Sequence, residues 1–93
     1  MSIVVRFPTV GLTKERYDAA THAVEQAGLE TIPDGLDHHI CFGEDGDLKV
    51  SEVWDSREQF GAYGAKLMPV LAEVGIELAG EPEIFEVHNA DRR

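Results

Sequence analysis

Ninety-three residues, eight of them basic against eighteen acidic, give a formal charge of −10 at neutral pH. That field repels phosphate backbones and anionic lipid surfaces, which disfavours nucleic-acid and membrane partners. The length suits one domain, expected over residues 1–90, and a 43% hydrophobic content excludes a wholly disordered chain.

Ile3 to Phe7 is β-branched and aromatic and ends at Pro8, which predicts a first strand. Thr13, followed by Lys14, Glu15 and Arg16, is a helix N-cap. Tyr17, Ala20, Thr21, Val24, Ala27 and Gly28 then recur at helical spacing, and Gly28-Leu29 is a glycine stop with its apolar follower. Pro33-Asp34-Gly35 predicts a turn. Residues 36–43 and 48–55 are strand-like runs on either side of Glu44-Asp45-Gly46-Asp47. The Asp-Gly pair predicts a type I′ hairpin, with φ above zero at both central positions. Ser56-Arg57-Glu58-Gln59 is a capping box. It opens a second helix whose stripe is Phe60, Tyr63, Gly64, Leu67, Leu71 and Val74. Pro69 predicts a kink or restart inside it. Gly75-Ile76 repeats the glycine stop, residues 83–89 read as a last strand, and residues 91–93 as an unstructured tail.

The order β-α-β-β-α-β predicts an α+β ferredoxin-like sandwich, an antiparallel sheet with two helices on one face. The bare face meets water or a partner. An apolar sheet face is a liability that pairing removes, so a homodimer packed sheet against sheet is expected. Size argues the same way, because a chain this short buries only roughly 60–65% of its unfolded surface. The single cysteine, Cys41, offers no disulfide and fits a reducing cytoplasm. No apolar run approaches the about 20 residues of a membrane helix. The first residues also lack the basic and apolar regions of a signal peptide, so a cytoplasmic location is expected.

With Asp45 and Gly46 as the loop, Glu44 faces Asp47, Cys41 faces Val50, His39 faces Glu52 and Asp37 faces Trp54. Alternation then puts Asp37, His39, Cys41, Val50, Glu52 and Trp54 on one side of the hairpin. Leu36, His38, Ile40, Phe42, Ser51 and Val53 fall on the other, and a one-residue slip would swap every assignment. The first set mixes apolar groups with one acid and one imidazole, as small-molecule pockets do. His39 is the candidate base and Glu52 the carboxylate that orients it. The same two residues also fit a structural polar pair at a sheet edge or dimer interface. Trp54 is either a pocket wall or the largest core residue. Tyr63 and Phe60, from the second helix, and Cys41, as a small apolar group, complete the expected lining of a site for a small hydrophobic or aromatic ligand.

No metal site is expected. His38 and His39 point to opposite faces, His22 reads as solvated, and His88 has no ligand-spaced partner. The acidic hairpin tip lacks the spacing of a calcium loop. A Gly-rich phosphate loop, a GxSxG elbow and an HExxH pair are all missing, and no cofactor is expected.

The segment Val50-Ser51-Glu52-Val53-Trp54-Asp55-Ser56-Arg57-Glu58-Gln59-Phe60 resembles the strand-to-helix junction of dimeric α/β-barrel proteins, which include antibiotic biosynthesis monooxygenase-like domains. As an element order the resemblance spans nearly the whole chain. It implies a homodimer whose sheets pack into a barrel, with a pocket in each subunit between sheet and helices. The activities it implies are divided: oxygenation of polycyclic phenols without metal or flavin, haem degradation, lactone isomerisation, or none. Such proteins often have an aromatic where Trp54 stands and a histidine where this chain has Tyr63. The asparagine that cofactor-free oxygenases use has no counterpart in the pocket set, which leaves His39 and Glu52 as this chain's candidates. The expected function is cofactor-independent monooxygenation or isomerisation of a small aromatic or conjugated compound. The alternative is a ligand-binding or protein-interaction module without catalysis.

Overall fold

The computed structural model describes residues 2–91. Six elements follow one another as β1 (Ile3–Phe7), α1 (Lys14–Gln26), β2 (Leu36–Glu44), β3 (Asp47–Trp54), α2 (Arg57–Glu73) and β4 (Glu83–Glu86). The strands make one antiparallel sheet in the order β2-β3-β1-β4, the ferredoxin-like arrangement expected from the element order. β4 stops at Glu86 rather than 89. Its neighbour β1 begins at Ile3, and the Val87 N–H donates to the Ser2 carbonyl, at 3.0 Å, just ahead of that start. Of the expected tail, Asp91 accepts a hydrogen bond from the Asn89 amide, and residues 92 and 93 lie outside the described residues.

Both helices begin and end where their local chemistry demands. Thr13 caps α1 by accepting from the Arg16 N–H at 3.1 Å, and Ser56 caps α2 by accepting from the Gln59 N–H at 3.2 Å. At the far ends Leu29 donates to Val24 and Gly28 to Glu25, while Ile76 donates to Leu71 and Gly75 to Ala72. Each is the paired 6→1 and 5→2 bonding that a left-handed glycine permits. The Arg16 guanidinium then donates to the Gly75 carbonyl at 2.8 Å, setting a cation at the negative end of α2. Pro69 does not restart α2, which runs uninterrupted from Arg57 to Glu73. The proline removes a single donor, and the turns on either side carry the helix across it.

The hairpin register is the expected one from its tip to His39, with Glu44 opposite Asp47, Cys41 opposite Val50 and His39 opposite Glu52. Two details differ. Gly46 alone of the loop pair takes positive φ, so the turn is not type I′. A bulge between Leu36 and His38 makes Asp37 the extra residue, and Leu36, not Asp37, faces Trp54. The bulge lets buried Leu36 share the helix-covered face with His39, against the simple alternation that set them apart.

On that face Ile3, Val5, Leu36 and Trp54 form the buried core, with Phe7, Phe60, Tyr63 and Ile84 packed against it. Phe60 meets both Trp54 and Phe7 edge-on, with centroids 5.7 and 6.2 Å apart. The opposite face has no helix. Val4, Val53 and Phe85 run across it, and Ile40 and Phe42 extend the apolar surface onto β2, Ile40 being 55% and Phe85 50% exposed.

Candidate functional site

Glu52 lies in the middle of β3, between Val5 of β1 and His39 of β2, on the helix-covered face. It is only 6% exposed. A carboxylate so placed must be fully hydrogen-bonded to be tolerated. Trp54, two residues on and therefore on the same face, donates its indole N–H to one Glu52 oxygen at 2.9 Å. The other oxygen is 2.5 Å from Nδ1 of His39. A carboxylate in its ionised form can only accept, and opposite such a Glu52 it is Nδ1 that carries the ring hydrogen and Nε2 that accepts. Nε2 takes the hydroxyl of Tyr17 at 2.6 Å, and the Tyr17 and His39 rings stack with centroids 6.0 Å apart.

This chain of bonds runs from the core to a cavity of about 420 Å³ between the sheet and the helices. Phe7, Val50, His39 and Glu52 form its floor. Tyr17, Ala20 and Val24 of α1 and Tyr63, Leu67 and Leu71 of α2 form its roof. Leu12, Ile32 and Leu78 come from the connections between elements. One end is drawn together by the hairpin tip, where Asp45 accepts from the Lys14 N–H at 2.8 Å and the Leu48 N–H donates to the Leu12 carbonyl at 3.0 Å. Among the described residues that line the cavity, none is lysine or arginine.

Burial pushes the Tyr17 phenol above its ordinary pKa, with Cys41 adding to the rise and a Thr21 hydrogen bond opposing it. Burial does the same to Tyr63, helped by Glu52 and Glu30. The Tyr63 hydroxyl donates to the Glu30 carbonyl at 2.5 Å and so ties the connection after α1 to α2. The Cys41 thiol is also pushed up, by burial and then by Asp18, so it is no ready nucleophile. Asp55 is raised by its hydrogen bond to Asp37, at the bulge.

Of the residues expected to line the pocket, the structure brings together His39, Glu52 and Tyr63. Trp54, Phe60 and Cys41 are not among the cavity's walls. Trp54 is 1% exposed and its N–H is taken by Glu52, so it belongs to the floor's foundation rather than its surface. Phe60 packs onto Trp54 and Phe7 in the core. Cys41 lies one inward position beyond His39 on the edge strand, half-buried beside α1. Tyr17 is the member that sequence reasoning passed over. It stands in the helical stripe as a packing residue, although an aromatic hydroxyl among Ala20, Thr21 and Val24 was a polar group in search of a partner. No three His, Cys, Asp or Glu side chains come together as a metal site among the described residues. No helix there is long and apolar enough to cross a membrane.

No protein-family model matches the chain, and no curated protein matches it in sequence. Solved structures do match in shape. SnoaB, a cofactor-independent oxygenase from Streptomyces nogalater, is 18% identical with a TM-score of 0.60, over 96% of this chain and 93% of its own. A protein from Deinococcus radiodurans assigned to the antibiotic biosynthesis monooxygenases is 16% identical with a TM-score of 0.60, over 100% and 98%. A heme-degrading protein from Mycobacterium tuberculosis is 20% identical with a TM-score of 0.56, over 99% and 100%. The chain has the ferredoxin-like fold of the antibiotic biosynthesis monooxygenase-like proteins.

Proposed function

We propose that this protein takes a small aromatic or conjugated compound into its cavity and oxygenates or isomerises it without a cofactor, with His39 as base and Glu52 as its orienting carboxylate. The observation that carries this reading is the buried Glu52 bonded to His39 at the wall of a mostly apolar cavity. An oriented imidazole in an apolar pocket is how general bases are built. The likeness in fold to a cofactor-independent oxygenase supports the same reaction class. We read residues 1–90 as one domain that acts in the cytoplasm as a homodimer, joined through the bare sheet face around Ile40, Phe42 and Phe85.

The test is a panel of phenols and quinones, followed by optical spectroscopy and product analysis, on the protein and on His39→Ala. Turnover of at least one compound, lost in His39→Ala, is the expected result. Binding and turnover unchanged by that substitution would remove His39 from the mechanism. A monomeric mass at micromolar concentration by native mass spectrometry would remove the dimer. One observation favours a second reading, ligand binding without turnover: Tyr17, Tyr63, Trp54 and Glu52 all have partners within the chain. Tight binding with no product from any compound would select it.

A further inference from the structure

Resting on that reading, we propose that Tyr17 rather than His39 is the group that meets the ligand, and that the site takes an uncharged phenol or enol and ionises it through a Tyr17–His39 proton relay.

Both nitrogens of the His39 ring are occupied, Nδ1 by Glu52 and Nε2 by the Tyr17 hydroxyl. A ligand hydroxyl therefore finds no vacant lone pair on the imidazole. It finds one on Tyr17. A phenol has one hydrogen to give and two lone pairs to offer, and with its hydrogen directed at Nε2 the oxygen of Tyr17 can accept from a ligand O–H. Tyr17 lines the cavity, so a ligand there can reach it.

The step is a double proton shift. The ligand O–H bond breaks and its proton forms a new O–H on Tyr17. The former Tyr17 proton moves to Nε2, where an N–H forms. The ligand becomes a phenolate or enolate, His39 becomes an imidazolium against Glu52, and Tyr17 is a neutral phenol before and after. No electrons change hands. The groups facing Tyr17 are His39, Cys41, Asp18 and Glu52. Burial opposes a standing tyrosinate among those acids, and the relay never forms one.

The same surroundings define the ligand. With no lysine or arginine in the described lining, and a chain charge of −10, a carboxylate or phosphate group would have nothing to pair with. An apolar cavity of about 150 Å³ accepts benzene. One of about 420 Å³ has room for more than a single ring.

The experiment uses 4-nitrophenol, whose anion is yellow, mixed with the intact protein at a pH below its own midpoint. The expected result is that the ratio of anion to neutral phenol is about tenfold higher for bound nitrophenol than for free. Tyr17→Phe should still bind it by equilibrium dialysis, more weakly, and leave it colourless, since phenylalanine keeps the ring and removes the oxygen. In the unaltered protein labelled with 13C-tyrosine, the Tyr17 ring carbon bearing the hydroxyl should shift on binding. Nitrophenol that ionises on Tyr17→Phe as it does on the unaltered chain, or a Tyr17 resonance that stays in place, would overturn the relay and leave His39 as a base acting directly. Failure of the unaltered protein to bind nitrophenol or a naphthol would overturn the pocket reading and the relay together.

Discussion

Around Trp54 the layer between sheet and helices is filled; around Tyr17 it is hollow, although the same sheet and the same two helices bound both regions. At the filled end Trp54, Ile3, Val5 and Leu36 rise from the strands and Phe60 comes down from the first turn of α2. At the hollow end the strands offer Val50, Glu52 and His39, and α1 answers with Ala20, Thr21 and Val24. The small side chains that α1 sets opposite the strands cannot close the gap. The helices cannot sink into it either, because the aromatic rings at the other end hold α2 at its height. α2 has no fully buried residue, while its Tyr63, Leu67 and Leu71 look into the cavity. Stability is thus gathered at one end while the other stays hollow. Glu52 stands on the boundary, bonded to Trp54 on one side and to His39 on the other.

Four substitutions and one titration can break or sharpen that contrast. Trp54→Ala should be the most damaging, at about 3–5 kcal/mol, because it empties the filled end and strips one Glu52 oxygen of its donor. Urea unfolding measures it, and a loss under about 1 kcal/mol, the size of an ordinary substitution, would mean that stability is not concentrated there. Glu52→Ala should cost about 1–3 kcal/mol, since it leaves the buried Trp54 N–H without an acceptor. Ala20→Leu should do the opposite of what enlargement does in a packed core. Filling the hollow from α1 is expected to add about 0.5–2 kcal/mol and to exclude 4-nitrophenol, checked by thermal unfolding and dialysis. Destabilisation there would show the cavity region to be packed already. Ultraviolet titration should find both tyrosines, the only two in the chain, ionising above the ordinary 10.0. The native state then holds these protons more tightly than the unfolded chain. Stability is whole below that pH and falls as pH rises through the folded values. Smallest of all, Lys49→Ala breaks only the exposed pair with Asp47 and should change stability by less than about 0.5 kcal/mol.

Most of this frame could be read from local signals. Thr13, Ser56, Gly28 and Gly75 carry their cap chemistry within a few residues, and the structure places both helices between them. The Asp45-Gly46 loop aligned His39 with Glu52, because a tight turn propagates its register along both strands. What was not legible depended on distance. Tyr17 and His39 are 22 residues apart, and nothing in the helix periodicity says which stripe residue will meet a strand. Trp54 and Phe60 were expected at the pocket wall, and the bond of one to Glu52 and the packing of the other onto Phe7 set them beneath it. The bulge at Asp37 had no glycine or proline to announce it. Pro69 announced a break that the tertiary frame overrides.

That bulge has a consequence for how the chain tolerates change. A strand is a two-beat pattern, and the surplus residue at Asp37 resets its parity between the part that builds the core, at Leu36, and the part that serves the cavity, at His39. Deleting one residue there would not shorten a loop. It would turn Leu36 out into water while leaving His39 in place, so a loss of one amino acid would act on the strand as an inversion.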